Sequence, residues 1–328
     1  MNPPHINLSI LADPAQDPRP YFFLHLPKTA GISLWQLLEA QFPPQQVFRG
    51  WLHSHLIAQK SRGFGDYRLF RGHFYGQVEA LVGTPLRTFT LVRHPVARAV
   101  SQYAQLRWNA EPGLRRRVQQ LGSLRACLQD PALRPEFADY QARSLALTGN
   151  TDDPDLERAP VPAADALLAA AQRRLDAMAA VGTTERYAEF VRLLCGLFDW
   201  DPFHLDAREN VGPDAATRQP LNAEDHALLL SLNPVDVALH AYADRLLTAH
   251  IESLRGHRRD HPDFWATRDE RRGARLAARI HALEVESRRF GARLGAALHH
   301  GVDRAFPRGS LRALALHPFA WVLRKVLG

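Results

Sequence analysis

Residues 24–34, LHLPKTAGISL, set Lys28, Thr29, Gly31 and Ser33 directly behind Pro27. Between a strand and a helix, such a loop turns consecutive N–H groups toward one point, and the helix N-terminus adds partial positive charge. The result is an anion cradle. Gly31 is expected to take backbone angles that a side chain would forbid. Lys28 supplies a full charge, and Thr29 and Ser33 supply hydroxyl donors. The NTPase loop GxxxxGK[ST] is a different arrangement, because here the lysine precedes the glycine. No later hydrophobic strand ends in an aspartate for magnesium; the best candidate ends in Arg93. The chemistry expected is anion binding without a metal, set against the plainer reading of a strand–turn–helix corner with a surface lysine.

A second group lies in LVRHPVARAVSQY, residues 91–103. Arg93 leaves the carboxyl end of a strand, the place where open parallel sheets bind ligands. Ser101 follows about two helical turns later, within reach of the same anion. Arg98 reads as a structural ion pair, and a sheet-edge salt bridge is the plain alternative for Arg93. His53 and His55 look like a metal pair, but no further ligand motif accompanies them, so they read as loop residues.

The elements that must position these groups alternate. YFFLHLP (21–27), YRLFR (67–71) and RTFTLVR (87–93) read as strands, and AAVGTT (179–184) as a fourth. Helices are expected after the first loop, where Leu34, Leu37 and Leu38 fall at helical spacing, and across 96–108, 163–178 and 185–198. A further helical stretch, 223–250, is interrupted at Asn233-Pro234. Strands alternating with helices predict an α/β fold with a central parallel sheet covered on both faces.

The chain has 328 residues, 46% hydrophobic and 23% charged, which describes a globular protein and not a collagen-like or disordered one. Two cysteines, Cys127 and Cys195, cannot form a disulfide framework, so a reducing compartment is expected. The opening MNPPHINLSILADPAQ lacks the basic start and apolar run of a secretion signal, and no stretch is apolar enough to span a membrane. A cytoplasmic protein is the expectation. Of the 41 basic residues only Lys28, Lys60 and Lys325 are lysines. Residues 255–328 carry 16 basic and 7 acidic side chains, so all the excess positive charge lies in the tail and the body is slightly acidic. The expected organisation is an anion-binding α/β domain over 1–250 and a helical, Arg-rich extension over 251–328. In that extension Leu276, Leu283 and Phe290, with Ile280 and Leu294, permit an amphipathic helix or short coiled coil. The last stretch, LRALALHPFAWVLRKVLG, reads as packing on the body, with a peripheral contact to an anionic membrane or polyanion as the alternative.

HLPKTAGIS followed by LVRHPVARAVSQY resembles the paired signatures of the sulfotransferase family that includes the heparan sulfate 2-O- and 6-O-sulfotransferases and many bacterial relatives. Weaker echoes are RGHF (71–74), QARSLAL (141–147), VGTTERYAEF (181–190) and NVGP (210–213). The resemblance covers about residues 20–250 and implies a P-loop-like three-layer α/β/α fold. It implies a loop of Lys28, Thr29, Ala30, Gly31, Ile32 and Ser33 that binds the 5′-phosphosulfate of 3′-phosphoadenosine 5′-phosphosulfate (PAPS). Arg93 and Ser101 would bind the 3′-phosphate. By the same resemblance His73 is the base, Lys28 stabilises the departing phosphate, Thr184 and Glu185 lie on the adenine side, and Gln141 and Arg143 line the acceptor side. A hydroxyl of a carbohydrate is the implied acceptor, and no metal is implied. Ile32 stands where the family usually has threonine, and His94 where it has the aspartate of Arg-Asp-Pro.

Two other classes compete. A nucleotide-dependent kinase or NTPase predicts magnesium-dependent ATP binding, against the order of lysine and glycine. A non-catalytic polyanion- or membrane-binding protein would act through its tail, with binding that falls steeply with salt. Nucleic-acid binding fits poorly with a slightly acidic body and no recognition motif.

Overall fold

The computed structural model describes residues 11, 17–75, 78–108, 111–146, 161–201 and 221–305. Five strands, β1 (Tyr21–Leu24), β2 (Val47–Phe48), β3 (Leu69–Gly72), β4 (Arg87–Val92) and β5 (Ala180–Thr183), form one sheet in the order β2-β3-β1-β4-β5. Every pair is parallel. The fold is α/β, as the alternation of elements predicts. All residues of β1, β4 and β5 are buried, which explains why these strands read as continuous apolar or β-branched runs instead of strict alternations.

The helices are α1 (Gly31–Glu39), α2 (His53–Gln59), α3 (Val78–Val82), α4 (Pro95–Trp108), α5 (Pro112–Leu121), α6 (Leu124–Gln129), α7 (Tyr140–Ala146), α8 (Ala164–Asp176), α9 (Tyr187–Phe198), α10 (Ala223–Ser231), α11 (Pro234–Asp260) and α12 (Pro262–Ala305). On one face of the sheet Phe22, Leu24, Phe70 and Val181 pack with Ala142, Leu167, Ala171, Leu239 and Ala243 of α7, α8 and α11. On the other, Phe23 stacks on Phe89, which meets Phe198 of α9 and Trp200. Both faces are therefore covered.

The order of strands fixes where a ligand can enter. From β1 the chain passes to β2 on one side, whereas from β4 it passes to β5 on the other. The loops after the adjacent strands β1 and β4 thus diverge, opening a crevice at their carboxyl ends. Parallel register aligns Leu24 with Gly72 and with Thr90. Counting onward, His73 stands level with His25, and Arg93 level with Pro27.

Some elements differ from the sequence reading. The two-residue β2 and helices α2, α3 and α5–α7 had no expected counterpart. His53 and His55 lie on α2 and not in a loop: the His55 Nδ1 accepts from the N–H groups of Trp51 (3.2 Å) and Leu52 (3.3 Å), which caps the helix. Asn233-Pro234 does break a helical stretch, and α11 continues from it to Asp260.

The chain divides into two compact units, 1–261 and 262–328. In the second, α12 runs through the glycines at 273, 291 and 295, and Ile280 on its expected apolar stripe is exposed. The stretch 311–328 and the NVGP segment at 210–213 lie outside the described residues. Among the described residues no helix is long and apolar enough to cross a membrane.

Candidate functional site

The first loop leaves β1 in a conformation that side chains rarely adopt. Lys28 and Ala30 have φ of 70° and 64°, so two non-glycine residues occupy left-handed backbone. Each such residue costs on the order of 1–3 kcal/mol and persists where the surroundings impose it. Gly31, expected to supply the unusual angles, has no positive φ and begins α1. Its role is space. A Cβ at Gly31 would lie 1.9 Å from Nε2 of His25, a buried imidazole. That ring cannot retreat, because it stacks on Phe23 and on His73 and meets Trp35 edge-on. Gly31→Ala is expected to destabilise the protein by about 1–3 kcal/mol, the usual cost of overpacking. A chemical-denaturation midpoint indistinguishable from that of the parent protein would show that the loop yields instead.

The N-terminus of α1 has no side-chain cap and no acidic residue in its first turn. By contrast α5, α6 and α10 are capped by Glu111, Ser123 and Asn222. The partial positive charge of α1 is thus not offset by its own cap. Thr29 is fully buried, and its hydroxyl donates to the Leu26 carbonyl (2.8 Å). That hydrogen holds the turn to the strand end and is not presented outward, contrary to the role expected for it. Ser33 is buried in the first turn of α1, and Ile32, in place of threonine, is 42% exposed.

Lys28 reaches across to α4, where its Nζ donates to Oε1 of Gln105 (2.7 Å). Ser101 precedes Gln105 by four residues and so lies on the same face of α4, one turn nearer the β4 end. Arg93 joins the two loops directly: its Nη1 donates to the Lys28 carbonyl at 3.0 Å. The lysine-bearing turn, the Arg93 guanidinium and the Ser101 face of α4 therefore border one crevice. Arg98 is fully buried, donating to the Glu136 carbonyl (2.6 Å) with its guanidinium over the Tyr140 ring.

His73 directly follows β3, level with His25 at the end of the adjacent β1. Its N–H donates to the Trp51 carbonyl (2.8 Å), and its Nδ1 lies 2.7 Å from the His25 carbonyl oxygen. A carbonyl can only accept, so Nδ1 carries the proton and Nε2 holds the lone pair. Burial pulls the His73 imidazole below its ordinary value of 6.5, which keeps it unprotonated at neutral pH. Burial, with the charges of His73, Lys28 and Arg71 secondary, pulls His25 further down. His25 is the residue the sequence reading missed. Its signal was the spacing Tyr21, Phe23, His25 along one strand face, followed by a glycine six residues on.

The remaining expected residues are placed as follows. The Thr184 hydroxyl faces the Val92 carbonyl (3.4 Å). Oε1 of Glu185 accepts from the His94 N–H (3.0 Å), and Oε2 lies 3.0 Å from Nε2 of His240 on α11. Burial pushes the Glu185 carboxyl up, but its contacts with His240 and the His94 N–H outweigh this and leave it below its ordinary value. The ends of β4 and β5 are thereby tied together. Arg143 is buried and donates to the Pro135 carbonyl (2.9 Å), and Gln141 is fully buried against the Arg93 backbone. Neither side chain is open to an acceptor here, because both are buried residues of α7. Among the described residues no three His, Cys, Asp or Glu side chains gather as a metal site would require.

The arrangement can hold an anion at the α1 N-terminus and a second one at Arg93 and Ser101, with a neutral imidazole at the adjoining strand end. Set against known proteins, the chain matches no family model and no curated relative.

Proposed function

We propose that the protein is a PAPS-dependent sulfotransferase with a P-loop-like three-layer architecture, acting on a hydroxyl of a carbohydrate or glycoconjugate. The observation that carries this reading is the 3.0 Å bond from Arg93 to the Lys28 carbonyl, which brings two cationic loops from adjacent strand ends to one crevice. A doubly phosphorylated adenosine presents two anionic ends, and this crevice offers a cation to each. In the reaction the acceptor oxygen attacks sulfur while the bond from sulfur to the 5′-phosphate oxygen breaks. His73 takes the hydroxyl proton at Nε2, and Lys28 leaves Gln105 to meet the charge growing on the departing phosphate. A sulfuryl group carries less negative charge than a phosphoryl group, so fixed protein cations suffice for it. Cys127 and Cys195 are buried and form no disulfide, which suits the reducing cytoplasm.

Thermal unfolding tests the reading. Without magnesium, adenosine 3′,5′-bisphosphate at a hundredfold excess over its Kd is expected to stabilise the protein by about 2.7 kcal/mol. ATP at the same concentration is expected to do far less. Equal or greater stabilisation by magnesium–ATP would favour the kinase reading instead.

A further inference from the structure

Arg93 is held by a side chain that never reaches the crevice. β4 ends at Val92, and beyond it the backbone of Arg93 has lost its neighbouring strand. Gln141 of α7 replaces that neighbour. Its Oε1 accepts from the Arg93 N–H at 2.8 Å, and its Nε2 donates to the Arg93 carbonyl at 2.8 Å. One carboxamide thus makes both backbone bonds of the residue, as a paired strand would.

The carboxamide cannot turn over. Nε2 also donates to Oδ2 of Asp236 (3.2 Å), so a flipped amide would set oxygen against a carboxylate and a carbonyl. Asp236 is itself fixed: its carboxylate accepts from the N–H groups of Gln141 (3.1 Å) and Ala142 (2.8 Å), which caps α7. Asp139, just before α7, returns the favour by accepting from the N–H groups of Val235 (3.0 Å) and Asp236 (2.9 Å) in the first turn of α11. Two helix N-termini cap each other, and the shared network ends on the Arg93 backbone. Gln141 and Asp236 are fully buried, so water does not compete for these bonds.

We infer that Gln141 is a positioning residue that aims the Arg93 guanidinium, and so sets how strongly the site distinguishes a nucleotide bearing a 3′-phosphate from one without it. This rests on the proposed function, in which Arg93 meets that phosphate. With the clamp released, the Arg93 Cα can pivot, and its guanidinium loses the fixed aim now marked by the Lys28 carbonyl. The α1 cradle does not depend on Gln141, so binding at the 5′-phosphate stays.

The experiment is calorimetric titration of the full chain with adenosine 3′,5′-bisphosphate and with adenosine 5′-phosphate. The parent protein is compared with Gln141→Met, which keeps the length of the side chain without its polar ends. The expected result is a preference for the bisphosphate that shrinks about tenfold, the loss of one charge-assisted phosphate contact. Affinity for the 5′-phosphate should stay within about twofold. A general structural defect would lower both affinities together. If Gln141→Met does not fold, Gln141→Asn serves: it keeps a polar amide in the buried site and is one methylene too short to hold Arg93. An unchanged preference in the folded variant overturns the positioning role alone. A parent protein that binds both nucleotides equally overturns the proposed function, and this inference with it.

Discussion

Replacing His73 by alanine is expected to lower sulfuryl transfer by about 10²–10⁴-fold, the contribution of a well-placed general base. Binding of adenosine 3′,5′-bisphosphate should persist, because His73 follows β3 and the proposed nucleotide contacts come from the loops after β1 and β4. The assignment depends on one nitrogen. Nδ1 is committed to the His25 carbonyl, which leaves Nε2 as the basic atom. His73→Asn refines the test, since its amide can still donate to that carbonyl but offers no base. It should be as inactive as the alanine variant and closer to the parent in stability. The pH profile follows from the direction of the shift. Burial lowers the imidazole below 6.5, so the acid limb of the rate should fall below that pH, with full activity maintained toward neutrality. The same group adds to stability in the matching sense. Its neutral form is the one the fold prefers, so this contribution is present above 6.5 and is lost as pH falls through the lowered value. Transfer that survives His73→Asn would place the base elsewhere.

Lys28→Ala is expected to reduce transfer by about 10²–10³-fold, the scale found when one preorganised group is removed from a developing charge. The loss should fall mainly on kcat, because the charge on the bridging oxygen grows only as the bond to sulfur breaks. Backbone strain does not confuse the comparison. Residue 28 sits at φ 70°, where alanine and lysine meet the same steric penalty. The ammonium's bond to Gln105 on α4 is an exposed contact, so its loss should affect the fold little. Lys28→Arg is expected to recover binding more than rate, since a planar guanidinium follows a moving charge less well than a compact ammonium. Steady-state kinetics in which Lys28→Ala raises KM alone would assign the residue to binding and remove it from the chemical step.

How much of the site was legible in the chain depends on the range of the interaction concerned. Strand β1, the helix behind it, β4 with α4, and β5 could be read because each is a run of apolar residues with local punctuation: Pro27, Pro95 and the Asn233-Pro234 break are signals that need no partner. The candidate anion loop was legible for the same reason, since a lysine and a hydroxyl at a strand-to-helix turn suggest the same chemistry wherever the turn lies. The two-residue β2 was not, because periodicity cannot be seen in two residues. Helices α5–α7 were missed where prolines, glycines and arginines weaken the apolar pattern that packing later completes.

The reason for Gly31 shows the boundary clearly. From sequence it was a residue of unusual backbone angles; in the fold those angles belong to Lys28 and Ala30, and Gly31 makes room for a histidine six residues earlier. Sequence alone determined an α/β chain with a cationic turn at its first strand end and a second cation at a later one. Only the tertiary structure decided that the two strands are neighbours, that Gln141 clamps the second cation from 48 positions away, and that His73 stands at the end of the strand on the other side of β1. Hydrophobic pattern and turn chemistry are local properties of a polymer, whereas the strand order, and the side chains it brings within hydrogen-bond range, emerge only when distant segments compete for one core.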